Sequence, residues 1–174
     1  MIFLGEMGVG KTSIINCFRD QIGEIRPTMN PTSHQKDWLF KDKSVLLNIW
    51  DTAGQEAYRS LLPIYMQGAQ IVCLVFDISQ KDTFIKLDDW IAKIHENPGK
   101  AEIIIVANKS DLTQVVSNQE LKEYANRFSL PFVLTSAKTK THISLLLDMI
   151  SEATQRISPE YQFAIEEQVT EHCC

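Results

Sequence analysis

The sequence predicts an α/β domain in which a mainly parallel, six-stranded sheet carries helices on both faces. Two observations support this fold class. Nearly continuous apolar runs alternate along the chain with segments whose apolar residues recur at helical spacing, a pattern typical of buried strands connected by amphipathic helices. The chain has 174 residues, of which 44% are hydrophobic and 22% charged, and this suits one domain with a full core.

Six short segments are predicted to be strands. They are residues 2–4, 38–40, 45–50, 71–76, 103–106 and 131–134. Most are continuous apolar runs, which indicates strands buried on both faces of a parallel sheet. Residues 38–40 are followed by a charged turn, so we expect this segment to be an antiparallel edge strand.

Four segments are predicted to be helices. Residues 13–18 follow a glycine-rich loop, and three further helices have apolar stripes at helical spacing. The stripes are Phe84, Leu87, Trp90, Ile91 and Ile94; Leu121, Tyr124, Ala125 and Phe128; and Ile143, Leu146, Leu147, Ile150 and Ile157. Pro159 should stop the last helix. We therefore expect a folded domain over residues 1–157 and a short flexible tail over 158–174.

The segment from Gly5 to Thr12 reads G-x-x-x-x-G-K-[ST] and lies between a predicted strand and a predicted helix. In that context the pattern predicts a phosphate-binding loop, because backbone N–H groups and a helix start converge on phosphate oxygens. Lys11 would bridge the outer phosphates, and the Thr12 hydroxyl would bind Mg²⁺. The expected phosphate-binding residues are Gly8, Val9, Gly10, Lys11, Thr12 and Ser13.

A second motif, Asp51-Thr52-Ala53-Gly54-Gln55, follows the strand at 45–50. An aspartate at a strand end beside a phosphate-binding loop can hold Mg²⁺, directly or through water. Gly54 offers a backbone N–H to a terminal phosphate. Gln55 can orient a water for in-line attack, so it is a candidate catalytic residue together with Lys11.

Two motifs after the last predicted strands indicate a guanine-binding site. Asn108-Lys109-Ser110-Asp111 provides a carboxylate, at Asp111, that can accept two hydrogen bonds from the N–H and NH₂ groups of guanine. The stem of Lys109 can lie on the face of the base. In Ser136-Ala137-Lys138 the backbone N–H of Ala137 could meet the guanine carbonyl oxygen.

With these motifs in this order, the chain resembles a small GTPase of the Ras superfamily and, within it, a Rab. Its sequence most resembles those of the endosomal Rabs. The resemblance implies a P-loop NTPase G domain that binds GTP or GDP with Mg²⁺ and hydrolyses GTP slowly. By resemblance, Thr12, Asp51 and a switch I threonine bind Mg²⁺, and Ser136, Ala137 and Lys138 complete the guanine site. Thr28 is the favoured threonine by spacing from Trp50, and Thr32 is the competing candidate.

The final residues, Cys173 and Cys174, resemble the Rab site for two geranylgeranyl groups. Two lipid chains anchor a protein stably where one does not. The resemblance therefore implies a membrane-associated switch in vesicle trafficking, at the cytoplasmic face of endomembranes and in the cytosol. It also implies an exchange factor, a GTPase-activating protein, effectors and a prenyl-binding chaperone as partners of a monomeric protein. The alternative is that both cysteines stay unmodified.

Composition excludes several other classes of function. The net charge of −5 argues against a nucleic-acid-binding surface. No apolar run reaches transmembrane length, and we expect no signal peptide. Four cysteines make no disulfide framework, which favours a reducing intracellular setting, with Cys17 and Cys73 as buried thiols.

Departures from the Rab pattern leave the rate of hydrolysis open. Met7 stands where the family has glycine or serine, and its side chain could crowd Gln55 or an incoming arginine finger. Alternatively, it bends away into solvent. Ser33 replaces a phenylalanine that Rabs use to bind effectors, so effector choice should be unusual. The second hypothesis is therefore a GTP-binding interaction module with little hydrolysis. A third, an ATP-using kinase, is disfavoured by Asp111.

Overall fold

The computed structural model describes residues 1–18, 32–40, 43–51, 62–96 and 101–157. Side chains are described for the same residues except 32–47, 50 and 51. The elements in chain order are β1 (Ile2–Leu4), α1 (Lys11–Phe18), β2 (Thr32–Phe40), β3 (Lys43–Asp51), α2 (Leu62–Met66), β4 (Ile71–Asp77), α3 (Lys81–Ile85), α4 (Leu87–His95), β5 (Glu102–Asn108), α5 (Asn118–Phe128), β6 (Phe132–Leu134) and α6 (Ile143–Arg156).

The strands form one sheet in the order β2-β3-β1-β4-β5-β6. β2 pairs with β3 in the antiparallel direction, and all the other neighbouring pairs are parallel. The predicted α/β class, with a parallel sheet and helices, is confirmed. Residues 38–40 do lie in the antiparallel strand at the edge of the sheet.

Alternate residues of the central strands face two separate hydrophobic clusters. Ile2, Leu4, Val72, Leu74 and Phe76 pack with residues of α2, α3, α4 and α5 on one face. Phe3, Ile71, Cys73 and Val75 pack with residues of α1 and α6 on the other. The side-chain alternation of a strand therefore explains why β1, and β4 as far as Phe76, are apolar at every position and why helices cover both faces.

The parallel strands bring their carboxyl ends to one edge of the sheet. Leu4 of β1 is paired with Leu74 of β4, Asp77 of β4 with Asn108 of β5, and Ala107 of β5 with Leu134 of β6. The segments that follow β1, β4, β5 and β6 consequently emerge side by side. This is the edge at which open α/β sheets bind ligands.

Two predicted boundaries are wrong. The stripe from Phe84 to Ile94 lies on two helices, because Lys86 ends α3 and begins α4; Lys86 is neither glycine nor proline, so no sequence signal marks this break. The last helix ends at Arg156, and Ile157, which has an extended backbone, packs on the core beyond it. Residues 158–174 lie outside the described residues, so the predicted tail stays a prediction.

No helix in the described part of the chain has the length and apolar composition needed to cross a membrane.

Helix α5 begins with a reciprocal capping box. The Ser117 hydroxyl accepts a hydrogen bond from the Glu120 backbone N–H at 3.2 Å, and the Glu120 carboxylate accepts one from the Ser117 backbone N–H at 3.0 Å. Lys81 also donates to Glu120. The hydrogen bond from Lys81, followed by those from Ser117, lowers the pKa of Glu120 to about 2. The cap therefore remains charged throughout the physiological range.

Ser117→Ala should destabilise the protein by about 1 kcal/mol, because one free N–H at the start of α5 loses its acceptor. For a chain of this size that corresponds to a fall in melting temperature of about 2–4 °C, measured by thermal unfolding. Ser144→Ala, on the exposed face of α6, is the matched control and should leave the melting temperature unchanged. An equal fall in both variants would contradict the role of the cap.

Candidate functional site

The glycine-rich loop connects β1 to α1 and encloses the side chain of Lys11. Lys11 is the first residue of α1 and is only 5% exposed. Its ammonium donates hydrogen bonds to the backbone carbonyls of Gly5, at 2.9 Å, and Glu6, at 2.8 Å. The loop thus carries a buried positive charge beside the start of a helix, where backbone N–H groups also favour anions.

Asn108 at the end of β5 packs directly against this loop. Its side-chain amide donates a hydrogen bond to the Val9 carbonyl at 2.8 Å. Gly10 has φ +97°, and a Cβ atom at this position would lie 2.3 Å from the Asn108 amide nitrogen. Position 10 therefore needs glycine both for its backbone conformation and for the close approach of Asn108.

The other end of the Asn108 amide binds the segment that follows β6. Its Oδ1 accepts hydrogen bonds from the Thr135 hydroxyl and from the Ala137 backbone N–H, both at 3.2 Å. Thr135 and Asn108 are buried. One side chain thus joins the glycine loop, the N-K-x-D segment and the S-A-K segment into a single site.

Asp111 and Ser136 complete the part of the site predicted to bind the base. The Ser136 hydroxyl donates to Asp111 Oδ1 at 2.6 Å and accepts from the Thr139 backbone N–H at 3.1 Å. Ser136 is buried, whereas Asp111 and Lys138 are exposed. Ser136 therefore fixes the orientation of a carboxylate whose other oxygen remains accessible. The Cys17 thiol, which is half-buried rather than fully buried, supports the same segment by donating to the Ala137 carbonyl at 3.2 Å.

Sequence reasoning missed the buried partner of Lys109. Lys109 Nζ lies 2.8 Å from Asp77 Oδ2, at the end of the neighbouring strand β4. Burial acts to raise the pKa of Asp77, but hydrogen bonds from Lys109 and Ser79 outweigh it and the pKa lies below its ordinary value. Asp77 stays ionised as a result. Asp77 could have been predicted from its position at the end of β4, because this end lies at the same edge of the sheet as the motifs.

A second missed contact connects the glycine loop to helix α4. The indole N–H of Trp90 donates to the Glu6 carboxylate at 3.0 Å, and Trp90 is otherwise buried. Because the Glu6 carbonyl also accepts from Lys11, this contact supports the conformation that holds the lysine. Apolar spacing predicted Trp90 as a core residue, and its polar atom carries no separate signal in the sequence.

The described residues fit a phosphate-bearing ligand. Gly8 leaves open space, since a Cβ atom there would meet no other atom within 4 Å. Thr12 and Ser13 follow Lys11 in the first turn of α1. β3 ends at Asp51, whose backbone is paired with Phe3 of β1. In the described part of the chain, no group of three or more His, Cys, Asp or Glu side chains could hold a metal ion.

Several predicted site residues lie outside the described residues, namely Thr28, Gly54, Gln55, Cys173 and Cys174. Their roles stay predictions. Thr32 is the first residue of β2 and is paired in backbone register with Asp51, so it remains a candidate beside Thr28. Met7 is 62% exposed, which favours the alternative in which its side chain extends into solvent.

Comparison with known proteins agrees with this arrangement. A family model described as the Ras family matches residues 1–156. The human (Homo sapiens) Ras-related protein Rab-17 is 36% identical over 168 residues, which are 93% of this chain and 79% of that protein. The Arabidopsis thaliana Ras-related protein RABF2a is 34% identical over 164 residues, which are 91% of this chain and 82% of that protein.

Proposed function

Since this chain belongs to the Ras family, we propose that it is a Rab-like GTPase that acts as a nucleotide-dependent switch on membranes in vesicle trafficking. The observation that carries the proposal is the Asn108 side chain, which binds the glycine loop through Val9 and the S-A-K segment through Ala137. A phosphate-binding loop and a base-binding segment held together by one residue suit a ligand that has both parts. A guanine nucleotide is such a ligand.

Each part of the proposed site has a chemical task. Lys11, held inside the glycine loop, would stabilise negative charge on the outer phosphates. Thr12, Asp51 and either Thr28 or Thr32 would hold Mg²⁺, which neutralises phosphate charge when it is bound. Gln55 would orient the attacking water, and the Gly54 N–H would bind the terminal phosphate.

The base would be selected at the other end of the site. Asp111 would accept hydrogen bonds from guanine, and the Ala137 N–H, which donates to Asn108 Oδ1 in this structure, would share its hydrogen bond with the guanine carbonyl. Lys109, with Ser136 and Lys138, would complete the walls around the base. Adenine has an acceptor where guanine has its N–H, so it would place a ring nitrogen against the carboxylate of Asp111 with no hydrogen between the two acceptors, which is costly.

Membrane attachment would come from geranylgeranyl groups on Cys173 and Cys174, because two chains give stable anchoring. A prenyl-binding chaperone would carry the protein through the cytosol between endomembranes. Exchange of GDP, hydrolysis of GTP and recognition of the GTP-bound form would each depend on a protein partner. The switch would work by ordering segments that contact the terminal phosphate and releasing them after hydrolysis.

Single-turnover hydrolysis of GTP by the full chain tests this proposal. We expect slow intrinsic hydrolysis, on the order of 10⁻⁴ to 10⁻³ per second, and an acceleration of about 10³-fold or more by a Rab GTPase-activating protein. Gln55→Leu keeps the size of the side chain but cannot orient water, so it should abolish the acceleration. Met7→Ser is the matched variant within the loop and should hydrolyse GTP at the wild-type rate, since Met7 extends into solvent.

The same measurement separates the alternative function. Tight GTP binding with hydrolysis that the activating protein does not accelerate, together with acceleration of Met7→Ser, would identify a GTP-binding interaction module whose methionine blocks the arginine finger. Displacement of labelled GDP by ATP as effectively as by GTP would contradict the guanine-specific site altogether.

A further inference from the structure

We propose that Asp77 is a positioning residue of the guanine site, which retains the nucleotide by anchoring the ammonium of Lys109. This inference rests on the proposed function, because it assigns to Asp77 a part in binding the same nucleotide. Asp77 itself is not expected to touch the base. It would act through Lys109, whose stem is expected to lie on the face of the ring.

The position of Asp77 suits this task. It is the last residue of β4 and is paired with Asn108, the last residue of β5 and the residue directly before Lys109. The Ile78 backbone N–H also donates to the Asn108 carbonyl at 3.0 Å. The sheet therefore fixes the backbone of both Asp77 and the residue before Lys109. The ion pair can consequently set the direction in which the Lys109 side chain extends from the sheet.

The carboxylate is buried and ordered by several donors. Its side chain is 1% exposed. Oδ1 accepts from the backbone N–H and the hydroxyl of Ser79, at 2.9 and 2.6 Å, and Oδ2 accepts from Gln80 at 3.0 Å and from Lys109 at 2.8 Å. Of these donors only Lys109 is charged. A buried carboxylate with one cation partner binds that partner strongly, because water does not compete for the carboxylate.

Lys109 is held in a conformation that needs support. Its φ is +63°, in the left-handed region that non-glycine residues rarely adopt. Its side chain is 30% exposed, so the ammonium could turn towards solvent if the carboxylate were neutral. Such a turn would move the stem across the site, and it would relax the backbone between Asn108 and Asp111, the two residues that bind the S-A-K segment.

The rate of GDP dissociation from the full chain measures this role, with a fluorescent GDP analogue as the probe. Asp77→Asn keeps the volume and can keep the hydrogen bonds from Ser79, but its NH₂ group replaces the oxygen that accepts from Gln80 and Lys109, and it should raise the dissociation rate about tenfold. Lys109→Met should raise it at least as much. In the double variant the effect of Asp77→Asn should disappear, because no ammonium remains to be anchored.

Matched controls separate positioning from a general loss of stability. Asp88→Asn breaks an exposed ion pair between α4 and Arg127 of α5, away from the site, and should leave the dissociation rate unchanged. Gln80→Ala removes a neutral donor to the same oxygen and should also have little effect. If Lys109→Met does not fold, Lys109→Leu, which likewise cannot donate to Asp77, takes its place in the same cycle.

Two outcomes would overturn the inference. One is an unchanged rate in Asp77→Asn. The other is an acceleration by Asp77→Asn that persists in full in the Lys109→Met background, which would assign Asp77 a structural role only. In either case Lys109→Met would still accelerate release if the proposed function is right. A wild-type chain that fails to bind the GDP analogue would overturn the proposed function and, with it, this inference.

Discussion

Asp111→Asn is expected to exchange guanine for xanthine as the base that the site prefers. Guanine presents an N–H and an NH₂ group side by side, and a carboxylate accepts from both. Xanthine presents an N–H beside a carbonyl. Asparagine, with one acceptor and one donor, matches xanthine and opposes the guanine NH₂ group with its own NH₂.

The structure indicates that the substituted side chain would keep a useful orientation. The Ser136 hydroxyl donates to Asp111 Oδ1 at 2.6 Å, and an asparagine can offer its carbonyl oxygen to the same hydroxyl. Its NH₂ group would then take the place of the second carboxylate oxygen. Because Asp111 is exposed, the substitution should have little effect on folding.

Equilibrium displacement of a labelled nucleotide measures the exchange. Affinity for GDP should fall on the order of 10²- to 10⁴-fold, since a site built around hydrogen bonds strongly rejects a ligand that cannot complete them. Affinity for xanthosine diphosphate should rise correspondingly. Asp148→Asn, the same substitution at an exposed position of α6, is the control and should bind GDP as the wild type does. Retained preference for GDP in Asp111→Asn would contradict the assignment of the base site.

The sequence predicted the central strands well because burial on both faces makes nearly all of their positions apolar. β4 is one residue longer than the predicted run, since it includes Asp77. β5 is three residues longer, since it includes Glu102, Ala107 and Asn108. β2 was underestimated, since it begins at Thr32 while its apolar part begins at Trp38. Its polar residues are held by backbone pairing with β3, which leaves no apolar pattern to detect.

The site shows the same division between local and long-range information. Motif spacing predicted Lys11, Asn108 and Asp111 as site residues, because each belongs to a motif that follows a strand. The partners Asp77 and Trp90 were missed, since their relation to Lys109 and Glu6 arises from strand pairing and from the packing of α4. Side-chain contacts of this kind depend on how the strands and helices pack, and the sequence does not show which distant residues come together.

Gly5→Ala is expected to destabilise the protein more than any other substitution considered for this chain. β1 and β4 run parallel, with Leu4 paired to Leu74, so the chain passes close to Val75 as it leaves the sheet. A Cβ atom at Gly5 would lie 2.1 Å from the Val75 carbonyl oxygen, and the φ of Gly5 is +138°. The clash is with backbone in the middle of the sheet, which cannot move away as a flexible side chain could.

Backbone strain at this position and the clash with Val75 should together cost about 3–5 kcal/mol. That is a large part of the total stability of a typical domain, about 5–15 kcal/mol. Thermal unfolding should show a melting temperature about 10 °C lower, or no folded protein. The loss of stability should appear without nucleotide, because the contact between Gly5 and Val75 lies within the sheet and does not involve a ligand.

Gly68→Ala is the matched control for this prediction. Gly68 also has a positive φ, +78°, but a Cβ atom there would meet nothing within 4 Å. Its substitution carries the backbone strain alone, about 1 kcal/mol, and should lower the melting temperature by about 2–4 °C. The difference between the two variants therefore measures the contact with Val75 together with the extra backbone strain at the φ of Gly5. Equal melting temperatures would show that β1 and β4 separate enough to accept a side chain, and the close approach at Gly5 would then not be what requires glycine.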